Sequence, residues 1–356
     1  MSGPDLLART AELVDIRSES HDEGALVAHL EAALRALPHL AVERVGDNLV
    51  ARTELGRPTR VVLAGHTDTV PANGNAAARI DGDTLWGLGA TDMKGGLAVF
   101  LALAEVLDAP TADVTYVFYA GEEVAAVHNG LGHLVRDRPE LVAGDVAILG
   151  EPTGGEIEAG CQGTLRVEVS VRGERAHTAR PWMGRNAVHR LGAVLAAVDG
   201  WEPRRPVVDG CEYREALQAV AVSGGVAANV VPDLATVTLN RRFAPDRTGE
   251  EALAEVRALL DPLLDDGDEL TVVDLAEGAR PGLDHPVLRR LVDHHGLAVS
   301  AKLGWTDVAR FAQLGMPACN LGPGDPVLAH QADERVERAA LDRTYAVLLE
   351  VLQAPI

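Results

Sequence analysis

Short apolar runs and helical patterns alternate through the first 160 residues of the chain. The runs RVVLAG, DVTYVFYA and DVAILG are rich in β-branched residues, which predicts strands buried on both faces. Between the first two, MKGGLAVFLALAEVLD is apolar almost all round and predicts an inner helix. A further helix is predicted to begin at a cap on Asp22 and to end at Pro38. This alternation predicts an α/β domain, a mostly parallel sheet with helices on both faces.

The pattern changes after residue 160. The strictly alternating run TLRVEVSVRG is followed by a helical pattern around NAVHRLGAVLAAV and by two further strands. Thr248 and Glu251 then form a capping box that opens another helix, and the strand ELTVVDLA follows it. The order β-α-β-β-α-β predicts a ferredoxin-like α+β domain. We therefore expect a catalytic domain made of residues 1–160 and 278–356, ending in a long helix after Asp333, and an inserted domain at residues 161–277.

Composition and charge narrow the classes of function. At 356 residues the chain is too long for one ordinary hydrophobic core, in agreement with two domains. It has 32 Lys and Arg residues against 53 Asp and Glu residues, a formal charge of −21, and such a surface repels nucleic acid. No apolar run is long enough to span a membrane, and the first residues lack a signal-peptide pattern. These features predict a cytoplasmic enzyme.

Polar residues follow several of the predicted strands. Asp68, two residues after His66 on an extended segment, points the same way and could orient its imidazole. Taken singly, the other polar residues have ordinary explanations, such as a helix cap, surface charge or an exposed loop. They are Asp92 in GATDMKGG, Glu122 and Glu123 after the second strand, Glu151 after the third, and His330 in the turn-rich segment before the last helix.

Together these residues predict a metal centre. Ligands of an open α/β sheet gather at the carboxyl ends of its strands, where most of these side chains fall. Two histidines and three carboxylates among them suit two zinc ions per chain, with cobalt or manganese as possible substitutes. These five residues are His66, Asp92, Glu123, Glu151 and His330. The chain's three cysteines are far apart in the sequence and form no CxxC pair, so thiolate ligands are not expected.

Five motifs resemble, in order and approximate spacing, those of the dinuclear-zinc aminoacylase and carboxypeptidase-like family. They are HTDTVP, GATDMKGG, GEE, GEPT and AHQADE, and the resemblance covers nearly the whole chain. It implies that Asp92 bridges two zinc ions. It further implies that His66 and Glu151 hold one ion and that Glu123 and His330 hold the other. By the same resemblance, Glu122 is the general base and Asp68 is the partner of His66.

The inserted domain also carries segments that resemble the family. The segment AHTARP is similar to the family's AHSxxP, with Thr178 in place of Ser, and implies a homodimer in which His177 reaches the substrate carbonyl of the neighbouring subunit. Asn229 matches a position near the substrate. The arginines Arg241 and Arg242, which are adjacent to each other, also match such positions, and Arg242 aligns better than Arg241. A guanidinium can hold a carboxylate through two hydrogen bonds.

Within that family, four segments resemble the actinobacterial succinyl-diaminopimelate desuccinylases. They are CQGTLRV, HTARPWMG, GWTDVARF and GPGDPVLAH, and Thr306 falls at a substrate contact. Better-known desuccinylases carry a basic pair where this chain has Cys161 and Gln162. Acetylornithine deacetylase and metallocarboxypeptidase activities are the alternatives. A non-catalytic metal-binding protein would not need the base Glu122, and a structural zinc protein would usually have thiolate ligands.

Overall fold

The computed structural model describes residues 3–354 of the chain, which divide into two compact units. The first unit contains the described residues up to Gly160, Pro281–Ser300 and the residues from Asp307 on. The second unit contains Cys161–Arg280 and Ala301–Thr306. Within the described part of the chain, no helix combines the length and the apolar character needed to cross a bilayer.

Helices and strands alternate along much of the chain. The helices are α1 (Leu6–Asp15), α2 (Gly24–Arg35), α3 (Lys94–Val106), α4 (Gly130–Asp137), α5 (Pro139–Val142), α6 (Ala187–Asp199), α7 (Gly249–Leu260), α8 (Pro286–Asp293), α9 (Val308–Gln313) and α10 (Arg338–Gln353). The strands are β1 (Ala41–Val45), β2 (Asn48–Arg52), β3 (Arg60–His66), β4 (Arg79–Asp81), β5 (Thr84–Trp86), β6 (Asp113–Tyr119), β7 (Val146–Leu149), β8 (Ile157–Ala159), β9 (Gly163–Arg172), β10 (Val207–Val208), β11 (Cys211–Glu212), β12 (Ala216–Gly224), β13 (Leu234–Phe243), β14 (Glu269–Ala276), β15 (Val299–Ala301), β16 (Ala318–Asn320) and β17 (Arg335–Glu337).

A mixed sheet forms the core of the first unit. Its strand order is β1-β2-β6-β3-β7-β16-β8-β15, and the central strands β6, β3, β7 and β16 are parallel. Helix α3 is almost entirely buried and packs with α1, α2 and α10, while α9 packs with α4 against β7 and β16. The predicted α/β fold with a largely parallel central sheet is therefore confirmed.

The parallel strands bring their carboxyl ends to one edge of this sheet. Strands β3 and β6 pair in register from Arg60 with Asp113 to His66 with Tyr119, so both end at the same level. Strand β7 runs beside β3 and ends at Leu149, two residues before Glu151. The segments that follow these three strands therefore start close together.

An antiparallel sheet with two helices on one face forms most of the second unit. Its strand order is β12-β13-β9-β14, which is the order of a ferredoxin-like sheet. Burial alternates along β9 and β13, and the buried face packs against α6 and α7. Thr248 and Glu251 form the predicted capping box at the start of α7. On the other face, β9 and β13 carry polar side chains such as Arg166, Glu168 and Asn240.

One local prediction is wrong. Glu23, not Asp22, is the N-cap residue of α2, and no side-chain hydrogen bond caps this helix. The Asp22 carboxylate lies 3.7 Å from the Arg17 guanidinium. The predicted long helix after Asp333 is present as α10, which begins at Arg338. Residues Arg335–Glu337 pair as β17 with β5, which keeps this segment extended until the helix starts.

Candidate dinuclear metal centre

The ends of three strands and two loops bring the predicted ligands together in the first unit. His66 is the last residue of β3, Glu123 lies in the loop after β6, and Glu151 lies two residues beyond β7. Asp92 lies just before α3, and His330 follows a short 3₁₀ helix at Pro326–Leu328. Gly96 lets α3 lie close to the segment just before Glu151, because a Cβ at position 96 would overlap the carbonyl oxygen of Gly150.

Asp92 lies between the two histidines. Its Oδ1 atom is 3.1 Å from His66 Nε2, and its Oδ2 atom is 3.6 Å from His330 Nε2. Two groups of residues share this carboxylate, and within each group the potential ligand atoms lie within 4.8 Å of one another. The first is His66, Asp92 and Glu151, and the second is Asp92, Glu123 and His330. One carboxylate that faces two ligand sets has the geometry of a bridging ligand.

His330 occupies an unusual backbone conformation. Its φ of 62° lies in the left-handed region, which few residues other than glycine adopt and which tends to occur at functional positions. Its Nε2 atom is 2.8 Å from Glu123 Oε1. The side chain is 48% exposed, in contrast to His66 at 1%, so the two histidines approach the cluster from different environments.

The buried carboxylate of Asp68 connects two segments of the cluster. It lies 3.5 Å from Nδ1 of His66, and it accepts hydrogen bonds from the backbone amides of Glu122 and Glu123 and from the Ser20 hydroxyl. Burial by itself raises the pKa of Asp68, but the hydrogen bonds from His66, Glu122 and Ser20 outweigh it, and the pKa is well below its usual range. Asp68 is therefore an ionised anchor, which orients His66 and holds the Glu122–Glu123 backbone.

Glu122 lies inside this group of acids. Its carboxylate belongs with His66 and Glu123 to a third group of potential ligand atoms. Burial raises the pKa of Glu122 well above its usual value; nearby His66 opposes this, and the negative charges of Glu151, Asp307 and Glu123 add to it. A carboxyl group with a raised pKa can hold a proton and pass it on.

Sequence reasoning missed Glu334, which organises the loop of Asp92. Glu334 is 1% exposed, and its Oε1 atom accepts hydrogen bonds from the backbone amides of Thr91 and Asp92, both at 3.0 Å. Burial raises the pKa of Glu334 to about 7. The residue lies four positions after His330, in the motif AHQADE, so it links the loops of two candidate ligands. The sequence feature that could have identified Glu334 is its position in this motif, directly after Asp333.

Asp307 is a second residue that the sequence reasoning missed. This fully buried carboxylate accepts hydrogen bonds from Asn129 Nδ2 at 2.9 Å and from Arg310 Nε at 2.6 Å. Asn129 also caps α4, because its Oδ1 atom accepts a hydrogen bond from the amide of Gly132. The loop that carries Glu122 ends at Asn129, so Asp307 fixes the far end of that loop. It directly follows the predicted Thr306 in the sequence.

The remaining predicted residues belong to the second unit. His177 is exposed and forms an isolated bridge with Val230, and the amide of Thr178 donates to the carbonyl of Asn229, so the structure brings His177 and Asn229 together. The amide of Ala179 donates to His177 Nδ1 at 3.0 Å, which leaves the ring proton on Nε2. Thr306 is 5% exposed, and its carbonyl faces the thiol of Cys161 at 3.7 Å.

Arg241 and Arg242 have opposite environments. Arg241 is 1% exposed, and its guanidinium pairs with Glu215 and Glu255, both at 2.7 Å. Arg242 is half-buried on the opposite face of the sheet, and its Nε atom donates to Asn240 Oδ1 at 3.1 Å. Since the charge of Arg241 is already neutralised inside the domain, Arg242 is the arginine of this pair that is suited to bind an anion.

The donor set of the first unit fits two divalent cations. Imidazole nitrogens and carboxylate oxygens are ligands that zinc accepts, and cobalt and manganese bind similar sets. Four carboxylates, Asp92, Glu122, Glu123 and Glu151, gather around His66 and His330, which is costly without cations to compensate the negative charge. The cluster therefore has both the ligand types and the excess negative charge of a metal centre.

A comparison with protein families agrees with this geometry. The model of Peptidase family M20/M25/M40 matches residues 62–354. The chain belongs to this family. This match confirms the predicted resemblance. At the level of the family, it also confirms the prediction of a hydrolase that acts on amide bonds.

Two similar proteins cover nearly the whole of the chain. A Mycobacterium tuberculosis protein, provisionally named succinyl-diaminopimelate desuccinylase, is 54% identical over 333 residues, which are 93% of this chain and 93% of that protein. The Corynebacterium glutamicum protein named succinyl-diaminopimelate desuccinylase is 45% identical over 354 residues, covering 98% of this chain and 96% of that protein.

Solved structures share the fold over nearly the same length. A tripeptidase from Staphylococcus aureus superposes with a TM-score of 0.80 at 22% identity, over 98% of this chain and 97% of that one. A Bacillus subtilis protein described as a dinuclear metal-binding peptidase of family M20 superposes with a TM-score of 0.72 at 15% identity, over 97% and 96% of the two chains. At these identities the structures establish the fold of this chain.

Proposed function

We propose that this chain hydrolyses the amide bond of N-succinyl-LL-2,6-diaminopimelate, giving succinate and LL-diaminopimelate. The observation that carries the hydrolytic part is the Asp92 carboxylate, which is shared by two ligand groups beside the carboxyl of Glu122. Two relatives that are 54% and 45% identical carry the name of this activity and support the choice of substrate.

We assign the centre to two Zn²⁺ ions per chain, with Co²⁺ or Mn²⁺ as substitutes. His66 and Glu151 would hold one ion, Glu123 and His330 the other, and Asp92 both; this assignment follows the two groups of neighbouring ligand atoms. Bound there, two such ions supply a Lewis acid for the amide carbonyl and lower the pKa of water. Asp68, hydrogen-bonded to the segment that carries Glu122 and Glu123, keeps this ligand set in place.

Glu122 is the proposed general base and acid. Its backbone amide is held by Asp68, so the carboxyl projects from a fixed segment. The carboxylate would accept a proton from the attacking water and then deliver it to the leaving amine of diaminopimelate. Loss of such a base usually slows turnover by about 10²–10⁴-fold.

The second unit is proposed to recognise the substrate and to form a homodimer. We assign dimerisation and the lid role to residues 161–277, which form most of the second unit, and catalysis to residues 1–160 together with most of residues 278–356. Strand β12 lies at the edge of its sheet and exposes Val220 and Val222 at 58% and 55%, which favours pairing with another chain. Trp182, five residues after His177, is 77% exposed and is a further apolar side chain available for such a contact.

His177 is proposed to act on the substrate of the partner subunit. Because Nδ1 accepts the Ala179 amide, Nε2 carries the hydrogen and can donate it to the oxyanion that forms from the amide carbonyl. Asn229 and Thr306 are the proposed contacts to the rest of the substrate, and Arg242 is proposed to bind a substrate carboxylate.

Parallel rate measurements test the proposed function. Purified wild-type protein with added Zn²⁺ is assayed on N-succinyl-LL-2,6-diaminopimelate, on N-acetylornithine and on a dipeptide with a C-terminal glutamate. Glu122→Gln, prepared in the same way, is the control for contaminating hydrolases. We expect the highest kcat/KM on the succinyl substrate and little activity in the variant. A higher kcat/KM on either other substrate would refute the proposal.

A further inference from the structure

Two arginines share the exposed face of the four-stranded sheet. In the register of β13 and β9, Arg242 is opposite Thr164 and Asn240 is opposite Arg166, so the two arginines are diagonal neighbours. Such positions lie about 7–8 Å apart, within reach of long side chains. The alternate residues of these strands, such as Leu165 and Leu239, point into the core. Both guanidinium groups therefore project from the same exposed face.

Among the described residues, neither arginine has a carboxylate partner within ion-pair distance. Asp274 is opposite Arg166 in the register with β14, yet no ion pair joins them. In contrast, the buried Arg241 on the other face is bound by two glutamates. Two unpaired cations side by side are unexpected in a chain whose formal charge is −21.

The position of Arg242 is held by neutral groups. Its Nε atom donates to Asn240 Oδ1 at 3.1 Å, and Asn240 Nδ2 donates to Thr164 Oγ1 at 3.4 Å. The pKa of Arg242 is lowered by burial and, next, by the positive charge of Arg166. An anion between the two guanidinium groups would relieve this repulsion and could be bound by both.

We propose that Arg166 and Arg242 together form a carboxylate site, in which Arg166 is a specificity-determining residue for the distal carboxylate of the succinyl group. This inference rests on the proposed function and adds a residue to it. A dicarboxylic acyl group brings a negative charge that an acetyl group lacks. Two positive groups on one rigid sheet would hold that charge and select for it.

The experiment compares Arg166→Ala and Arg242→Ala with Arg172→Ala in the zinc-loaded enzyme. Arg172 is an exposed arginine at the end of the same strand and controls for the loss of one positive charge. Three quantities are measured: KM for the succinyl substrate, the inhibition constant of succinate, and that of LL-diaminopimelate, which lacks the acyl group. Arg166→Lys is measured as the conservative variant, and melting temperatures confirm that each variant folds.

We expect Arg166→Ala and Arg242→Ala to raise KM and the inhibition constant of succinate about 10- to 100-fold. Inhibition by LL-diaminopimelate should be unchanged, Arg166→Lys should recover part of the loss, and Arg172→Ala should resemble the wild type. If the wild type turns over the succinyl substrate but Arg166→Ala behaves like Arg172→Ala, this inference is overturned and the proposed function is not. An equal increase in the inhibition constants of succinate and of LL-diaminopimelate also overturns it. A wild type without desuccinylase activity overturns the proposed function as well.

Discussion

The carboxylate of Asp68 accepts a hydrogen bond from the backbone amide of Glu122 at 3.0 Å. Its second oxygen accepts one from Glu123 at the same distance, so a single buried side chain fixes the proposed base and a proposed metal ligand on consecutive residues. The Ser20 hydroxyl adds a third bond at 2.8 Å. The acidic cluster therefore depends on an ionised residue that lies outside the proposed set of metal ligands.

Asp68→Asn should lower kcat about 10- to 100-fold, the usual effect of losing a group that supports metal ligands. The variant keeps the size of the side chain but turns one acceptor into an NH₂ group, which repels a backbone amide. Ser20→Ala removes only the third hydrogen bond and should have a much smaller effect. Steady-state rates and metal content of both variants measure this, and wild-type turnover in Asp68→Asn would exclude the anchoring role.

Glu334→Ala should weaken metal binding about 10- to 100-fold, because the amides of Thr91 and Asp92 lose their common acceptor. Glu334→Gln should keep most of the affinity, since one oxygen accepts both bonds. Asp333→Asn is the matched control, because Asp333 is exposed and pairs with Arg335. Competition with a chelator measures the affinities. If Glu334→Ala and Asp333→Asn bind metal equally well, Glu334 does not position Asp92.

The second unit should lose stability in acid through Glu215. Its buried carboxylate has a pKa lowered from 4.5 to about 2, because hydrogen bonds from Arg204, the Ala244 amide and Arg241 outweigh the effect of burial. A pKa that is lower in the folded state gives stability that is complete above pH 4.5 and is lost as the pH falls toward 2. This shift corresponds to about 3 kcal/mol at neutral pH.

Glu215→Gln should therefore lower the free energy of unfolding by about 3 kcal/mol at pH 7, and the difference from wild type should shrink as the pH falls from 4.5 toward 2. Glu212→Gln is the control, because Glu212 is exposed and pairs with exposed Arg214. Denaturant unfolding at several pH values measures both variants. A difference between Glu215→Gln and wild type that stays constant with pH would show that Glu215 is not ionised in this way.

Strand and helix positions followed from apolar periodicity, since β3, β6, β7 and α3 are buried almost throughout. The clustering of polar residues also followed, because parallel strands end at one edge of a sheet. Strand ends do not reveal Glu334 or Asp307, since Glu334 binds backbone amides and Asp307 binds Asn129, all of them far away in the sequence. The start of α10 depended on the pairing of β17 with β5, which local propensity does not reveal.

If His177 acts in the partner subunit, two inactive proteins should complement each other. His177→Ala keeps its own base, and Glu122→Gln keeps a donor for its partner. After subunit exchange, one site of each mixed dimer has both groups, so an equal mixture should recover about a quarter of wild-type activity. Exchange is verified with differently tagged chains. A mixture that exchanges but stays as inactive as its parents would place His177 outside the neighbouring site.

The number of metal ions bound by each chain tests the central claim most directly. Metal-free protein is titrated with Zn²⁺ by calorimetry, and the loaded protein is analysed for metal content after desalting. The shared position of Asp92 predicts two ions per wild-type chain, and Glu122→Gln should also bind two because the base is not one of the five proposed ligands. Saturation of the wild type at one ion per chain would contradict the dinuclear centre.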